Sequence, residues 1–439
     1  MNVVHSELTT EQLVEHLHEA RARLLELVCD LDDQQMIGPL LPIVNPLRWE
    51  IAHVAYFQEF WLLRHQRGCD PITPAAHLDP DKLYDSARVH HDTRWELPLP
   101  SKHTTLDYMQ RILDRVCEQV LTHPASPDAD GYDDNYFLHL SLLHEDMHNE
   151  AITYTRQTLG YDAPLLEIRK GGTERRRETE AEGLGDAVIS GGVFRLGSEL
   201  DAGFVFDNEL RAHEVTVAPF AMARTATRNA EFLAFVEDGG YRRKEFWCEE
   251  GWQWRERVGA QHPLYWRKTD GEWQRRVFQR WNRLEADLPV LHVNWFEVNA
   301  YCRWAGRRLP TEAEWEFAAA GGGKHRFPWG EDDPTPERAN LDWHAGGLLP
   351  VDALPTGDSA FGIRQMIGNV WEWTATEFAP FAGFAPGPYK EYSAPWFGDH
   401  KVLRGGCWAT RSRLIRNGYR NFYKPDRRDV WAGFRTCAL

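Results

Sequence analysis

Two histidines four residues apart, in the run His144-Glu145-Asp146-Met147-His148, are the residues of this chain whose spacing speaks most directly of chemistry. On a helix, side chains at i and i+4 leave the same face one turn apart, so both imidazoles aim at one point. That is the simplest way to present two nitrogens to one metal ion. His53, far upstream, is the candidate third ligand. Three imidazoles leave part of the coordination sphere open, as oxygen-activating iron requires, although imidazole suits zinc as well. The same string satisfies H-E-x-x-H, in which Glu145 would be the general base of a zinc peptidase. No downstream ligand motif accompanies it. His139 and His103 are read as ordinary residues.

The elements that must hold these histidines are helical. Thr9 to Gln12 is a capping-box pattern, and Leu13, Val14, Leu17, Leu24, Leu25 and Val28 follow at helical spacing toward Leu31. Asn45-Pro46 reads as N-cap and first residue of a second helix that carries His53 and ends near Gly68. A third runs from about Thr105, with Leu106, Met109, Leu113, Val116, Cys117 and Val120 on one face. A fourth runs from Asp133 or Asp134 to Gly160 and carries the histidine pair. Four such helices predict a four-helix bundle over residues 1–165, an architecture whose core commonly holds metals.

Residues 166–185, with arginines at 175–177, are charged and poor in apolar side chains, and read as a linker. From 186 to 439 the pattern changes to glycine, proline, tryptophan and short β-like runs: GGVFRLGS (191–198), HEVTVAPFAMAR (213–224), KVLRGGCW (401–408) and AGFRTC (432–437). Helices are expected near 229–237, 295–305 and 312–320. This is an α+β domain whose loops carry function. The formal net charge is −16. With no basic cluster, nucleic acid is not the expected partner. No run of about 18 apolar residues predicts a membrane span. Seven scattered cysteines without a C-x-x-C motif and an N-terminus without a signal pattern lead us to expect a cytoplasmic, disulfide-free protein.

The C-terminal half resembles the formylglycine-generating-enzyme domain, a variant of the C-type lectin fold. The resemblance rests on GGVFRLGS, on PVLHVNWFEVNAYCRWAGRRLPTEAEWEFAAAGG (289–322), PWG (328–330), GNVWEWT (368–374), VLRGGCW (402–408) and AGFR (432–435). The reactive cysteine pair of that family falls on Thr410 and Ile415 here, and Cys407 stands where serine is usual. Copper-dependent formylglycine chemistry is therefore not expected. The N-terminal half resembles the DinB-like bundle, whose ligand pattern His53, His144 and His148 match. The two in this order resemble the sulfoxide synthases of ergothioneine biosynthesis. That resemblance implies iron(II) held by these three histidines, O₂ as co-substrate, and hercynine, the trimethylated betaine of histidine, as substrate.

By the same resemblance, Arg420-Asn421-Phe422-Tyr423 is the hercynine-binding corner. Asn421 would meet the carboxylate and Phe422 the quaternary ammonium, since aromatic faces attract such cations. Three departures stand out. Met147 replaces a frequent glutamine beside the last ligand. Phe378 and Phe381 stand in EFAPFAGF (377–384) where a catalytic tyrosine is usual. Arg88 and Arg94 are spaced unlike the arginine pair that reads a γ-glutamyl thiol. These departures resemble the selenoneine synthase branch, which joins a selenosugar to hercynine. Asp85, His90, His91, Asp92, Arg94 and Trp95 are candidate donor contacts. The alternative is a sulfoxide synthase using γ-glutamylcysteine or cysteine; a zinc peptidase and a non-catalytic binding module are more remote.

Overall fold

The computed structural model describes residues 8–123, 125–166, 185–199 and 203–439. The chain divides into two units, Met1–Glu167 and Ile168–Leu439. The expected linker, with its arginines at 175–177, lies outside the described residues except for positions 166 and 185.

The N-terminal unit is built from α1 (Thr10–Val28), α2 (Leu47–Gln58), a short α3 (Pro80–Tyr84), α4 (Lys102–Thr122) and α5 (Asp134–Leu159). Helix α1 packs on α5, and α2 on both α4 and α5. Thr9 caps α1 in a full capping box with Gln12. Asp133 caps α5, and Gly160, at φ 67°, ends it. Leu13, Leu17, Leu24, Ile51, Val54, Ile112, Val116, Phe137 and Leu138 fill the interior. Each such side chain stabilises the fold by about 1.5–3 kcal/mol on burial.

Three boundaries differ from the sequence expectation. Helix α2 begins at Leu47, after Pro46, with no side-chain cap. Asn45 does not cap it because its Oδ1 accepts from Arg94 Nη1 at 2.6 Å. The second helix also does not run regularly to Gly68. It widens into a π-helical stretch, Glu59–His65. There Glu59 is fully buried and accepts from the Ile72 N–H and the Tyr108 hydroxyl. Helix α4 starts one turn early, because Ser101 accepts from Thr104 N and so serves as its cap.

The C-terminal unit opens with β1 (Asp186–Ile189), β2 (Gly192–Leu196), β3 (His213–Val217) and β4 (Phe220–Ala223), then α6 (Asn229–Glu237) and α7 (Glu249–Val258). A meander follows: β5 (Trp266–Thr269), β6 (Glu272–Val277) and β7 (Arg280–Arg283). Next come α8 (Trp295–Ala305), β8 (Arg307–Arg308), α9 (Glu312–Ala319), β9 (Trp371–Glu377), β10 (Lys401–Arg404), β11 (Asn421–Tyr423), β12 (Ala432–Gly433) and β13 (Cys437–Ala438). The strands form sheets ordered β1-β4-β13-β8 and β11-β10-β9-β12, with β2-β3 and β5-β6-β7 as smaller ones. Helix α7 and the meander were not foreseen.

The sequence motifs of this unit turn out to be its charged core. Arg435 forks onto Glu372 with both contacts at 2.7 Å, and Trp315 Nε1 donates to the same carboxylate at 2.7 Å. Arg404 pairs with Glu316, and Arg416 with Glu209. Buried guanidinium forks of this kind stay only where carboxylates satisfy them. Gly405, at φ 97°, must be glycine, because a Cβ there would lie 2.5 Å from Met366 O. Arg427 forks onto Asp429 at 2.7 and 2.8 Å, bracing the C-terminal loop. Among the described residues no helix is long and apolar enough to cross a membrane, and all seven cysteines are free.

Candidate metal centre

Helix α2 supplies His53 and α5 supplies His144 and His148. One nitrogen from each ring lies within 4.8 Å of the others. Ring centroids are 5.2 Å apart for His53 and His144, 5.3 Å for His53 and His148, and 4.6 Å for His144 and His148. His53 and His144 are buried, and His148 is partly open.

The surroundings aim the rings. His53 Nδ1 lies 2.8 Å from Tyr84 O. A carbonyl only accepts, so Nδ1 carries the proton and Nε2 keeps a lone pair. His148 Nδ1 lies 2.9 Å from Glu50 Oε1, with the same consequence. His53 stacks on Trp49 at 4.9 Å and 6°, and His144 on Phe57 at 3.7 Å and 8°. Burial, and then the neighbouring His148, depress the His53 imidazole to about 3. Burial, followed by His148 and His53, also holds His144 well below the ordinary range. Neutral rings are the form that ligates. Imidazole lone pairs on two rigid helices are a donor set that fits a transition metal. Of the outer groups, Trp49, Glu50 and Phe57 were missed in the sequence. Positions 49, 53 and 57 share one helix face, which was the available signal.

Glu145 turns away from this cluster. One residue along a helix is a rotation of about 100°. Its side chain faces α1 and the end of α2: Oε1 accepts from Arg21 Nε of α1 at 2.8 Å, and Oε2 from Gln58 Nε2 of α2 at 2.6 Å. It is 0% exposed, which leaves no carboxylate oxygen for a general base. Met147 sits half-buried beside His148.

Arg88 is exposed and pairs with Asp85 at 3.0 Å. The Arg94 guanidinium lies 3.8 Å above the Trp49 ring, with Nη1 on Asn45 and Nη2 on Val89 O. Burial lowers it to about 10. His91 Nε2 donates to Val44 O, and its Nδ1 meets Asp92. Trp95 Nε1 donates to Gly38 O, and His90 is exposed.

In the C-terminal unit, Arg420 is 1% exposed. Its fork closes on Glu312 at 2.7 and 3.1 Å and also reaches the carbonyls of Asn208 and Ala379. It thus anchors the start of β11, the strand of Asn421, Phe422 and Tyr423. Asn421 Oδ1 accepts from Phe422 N at 2.8 Å. Phe422 stacks on Phe378 at 3.9 Å and 11°. Arg420 also lies over the Phe378 and Phe381 rings. Arg427 lies 5.3 Å from the Tyr423 ring centre. A tyrosine is nevertheless near, because Tyr392 meets Phe422 edge-on at 5.7 Å and hydrogen-bonds the Tyr419 hydroxyl at 3.0 Å. Cys407 is buried beside Thr410, without a second cysteine in the pattern of formylglycine chemistry.

Residues 16–152 match the DinB superfamily, and residues 173–438 match the sulfatase-modifying factor enzyme 1-like domain. The chain is 39% identical to a hercynine oxygenase of Mycobacterium tuberculosis over 435 residues, covering 97% of this chain and 98% of that protein. It is 37% identical to the hercynine oxygenase of Mycolicibacterium thermoresistibile, covering 97% and 94%. A formylglycine-generating enzyme of Streptomyces coelicolor is 32% identical over 63% of this chain and 94% of its own length. With both domains matched and near-complete coverage of these relatives, the chain belongs to the hercynine oxygenase family of oxidoreductases.

Proposed function

We propose that this chain is a non-heme iron(II), O₂-dependent enzyme that forms a C–Se bond between hercynine and a selenosugar. The observation that carries the reading is the cluster of His53, His144 and His148, in a chain whose near-full-length relatives are hercynine oxygenases. His53, His144 and His148 would hold the iron(II), which would supply redox chemistry toward O₂, with the net electrons drawn from the substrates. The residues of the chain bind, orient and exclude. Asn421 meets the hercynine carboxylate, and Phe422 and Tyr423 flank its quaternary ammonium, a cation that aromatic faces hold. Arg420 positions that strand through Glu312. Met147, next to His148 on α5, is a further candidate substrate contact.

The balance of the reaction is simple. An imidazole C–H and an Se–H give way to C–Se, which releases two electrons and two protons. Oxidation of the joined chalcogen to its oxide releases two more electrons. Together these take one O₂ to an oxide oxygen and one water.

Selenium over sulfur is favoured by what the arginines do. Arg88 is paired with Asp85, and the fork of Arg94 is taken up by Asn45 and Val89 O. Neither is set up as half of a two-arginine clamp for an amino-acid carboxylate. A selenol also ionises at lower pH than a thiol and ligates readily as the anion. The second reading, C–S bond formation with γ-glutamylcysteine or cysteine, is favoured by the identity to the hercynine oxygenases. The buried ion pair of Glu145 speaks against the peptidase reading, and the three-histidine cluster against a purely binding module.

The test offers hercynine and iron(II) in air with equal concentrations of a selenosugar, γ-glutamylcysteine and cysteine, and reads the products by mass spectrometry. First consumption of the selenosugar supports the proposal. First consumption of a thiol, with sulfoxide as the main product, moves the chain to the second reading. The absence of any hercynine-dependent O₂ uptake overturns both.

A further inference from the structure

An acidic group lies against the open edge of the histidine cluster. Glu50 stands three residues before His53 on α2 and is 2% exposed. Its Oε1 accepts from Nδ1 of His148, 98 residues away on α5. His53 Nδ1 meets the Tyr84 carbonyl, and His144 stacks on Phe57. His148 is also the most open ring of the three. It is therefore the ring that packing holds least and a hydrogen bond must hold most.

We infer that Glu50 is a positioning residue that fixes the tautomer and orientation of His148 and sharpens its donation to the metal. The inference rests on the metal-centre reading above. A carboxylate is acceptor-only, so it forces the His148 proton onto Nδ1 and leaves Nε2 bare. A glutamine at the same place has two faces. Turned one way it accepts as Glu50 does; turned the other it donates to Nδ1, drives the proton to Nε2 and closes the metal-facing nitrogen. Negative charge behind the ring also favours a cation on its far side, and removing such outer partners typically costs 10–100-fold in metal affinity. Arg94 is near enough to Glu50 for the carboxylate to act on its charge, so the buried acid has a cationic neighbour when the ion is away.

The full-length protein is titrated with iron(II) without oxygen, and separately with cobalt(II), whose visible spectrum reports ligand field. Glu50→Ala is expected to raise the iron dissociation constant about 10–100-fold and to shift the cobalt bands. Glu50→Gln is expected to fall between it and the wild type, with Glu50→Asp the mildest. With substrates present, the loss should appear at limiting iron and be recovered at high iron. A merely structural tie between α2 and α5 would lower stability without moving the cobalt spectrum. Circular dichroism of the metal-free proteins separates the two. If Glu50→Ala does not fold, the glutamine and aspartate variants carry the comparison. Unchanged iron affinity and cobalt bands in folded Glu50→Ala or Glu50→Gln overturn the inference while leaving the metal centre standing. A wild-type protein that binds neither ion overturns the inference together with the reading on which it rests.

Discussion

At the scale of single residues, the three histidines carry the most direct consequence. Truncating His148 removes one of three nitrogens and leaves too few donors for tight binding. His148→Ala is expected to lose most bound iron and all C–Se or C–S bond formation, checked by metal analysis and product mass spectrometry. Full occupancy with normal turnover would count against the site. Glu145 makes the opposite test. Its carboxylate is buried against Arg21 and Gln58, so Glu145→Ala leaves the guanidinium of Arg21 unpaired in the interior. A loss of about 3–5 kcal/mol in denaturant stability is expected, with iron affinity in the folded fraction retained. A peptidase base would instead leave stability nearly unchanged and abolish peptide hydrolysis on its removal. His144 and His148 were legible because helical periodicity makes i, i+4 spacing visible in a string, and His53 through the resemblance to the DinB-like bundle. The partners were not: Glu50 and Tyr84 O are chosen by packing between segments far apart in sequence. Arg94 illustrates the limit, since nothing local tells that its fork is spent on Asn45 and its face on Trp49.

At the scale of elements, caps and buried forks decide where the site residues are presented. Asp133 Oδ1 accepts from Tyr136 N at 3.0 Å at the head of α5. Asp133→Ala is expected to cost about 1 kcal/mol, read by thermal unfolding, without altering metal binding, because His144 lies three turns further on. The bundle was readable because its caps and apolar stripes are local signals. The π-helical stretch Glu59–His65 was not, since it depends on contacts from Ile72 and Tyr108 to Glu59. In the C-terminal unit the motif residues were readable but their role was not. Glu312, Glu316, Glu372, Arg404, Arg420 and Arg435 form the interior ion pairs of the fold. Arg420→Lys keeps the charge and loses the fork. It is expected to raise the KM for hercynine more than it lowers kcat, because β11 loosens behind Asn421 and Phe422. An unchanged KM would show that this strand does not contact hercynine.

At the scale of the whole molecule, stability is coupled to protons and to metal. His292 is 5% exposed in the C-terminal unit. Burial, then Arg275 and Arg276, depress its imidazole to about 3. An unfolded chain takes up the proton near 6.5 and the folded chain does not, so the unfolded state binds more protons below that pH. Stability is therefore full above about 6.5 and falls as the pH drops toward 3. At pH 5 one such group costs about 2 kcal/mol. His292→Asn tests this, because asparagine does not titrate and tolerates the φ of 59° found there. The stability gap between wild type and variant is expected to narrow by about 2 kcal/mol from pH 7 to pH 5, and an unchanged gap would show that His292 protonates in the folded protein. Metal acts in the other direction and in a different place. All three histidines lie in the N-terminal unit, on α2 and α5. An ion that binds only the folded arrangement stabilises it by about 2.7 kcal/mol at one hundred times its dissociation constant. Hydrogen exchange should accordingly slow in α2 and α5 when iron(II) is added without oxygen, while the amides of β5, β6 and β7 keep their rates. Protection confined to the C-terminal unit would place the metal elsewhere and overturn the assignment of His53, His144 and His148.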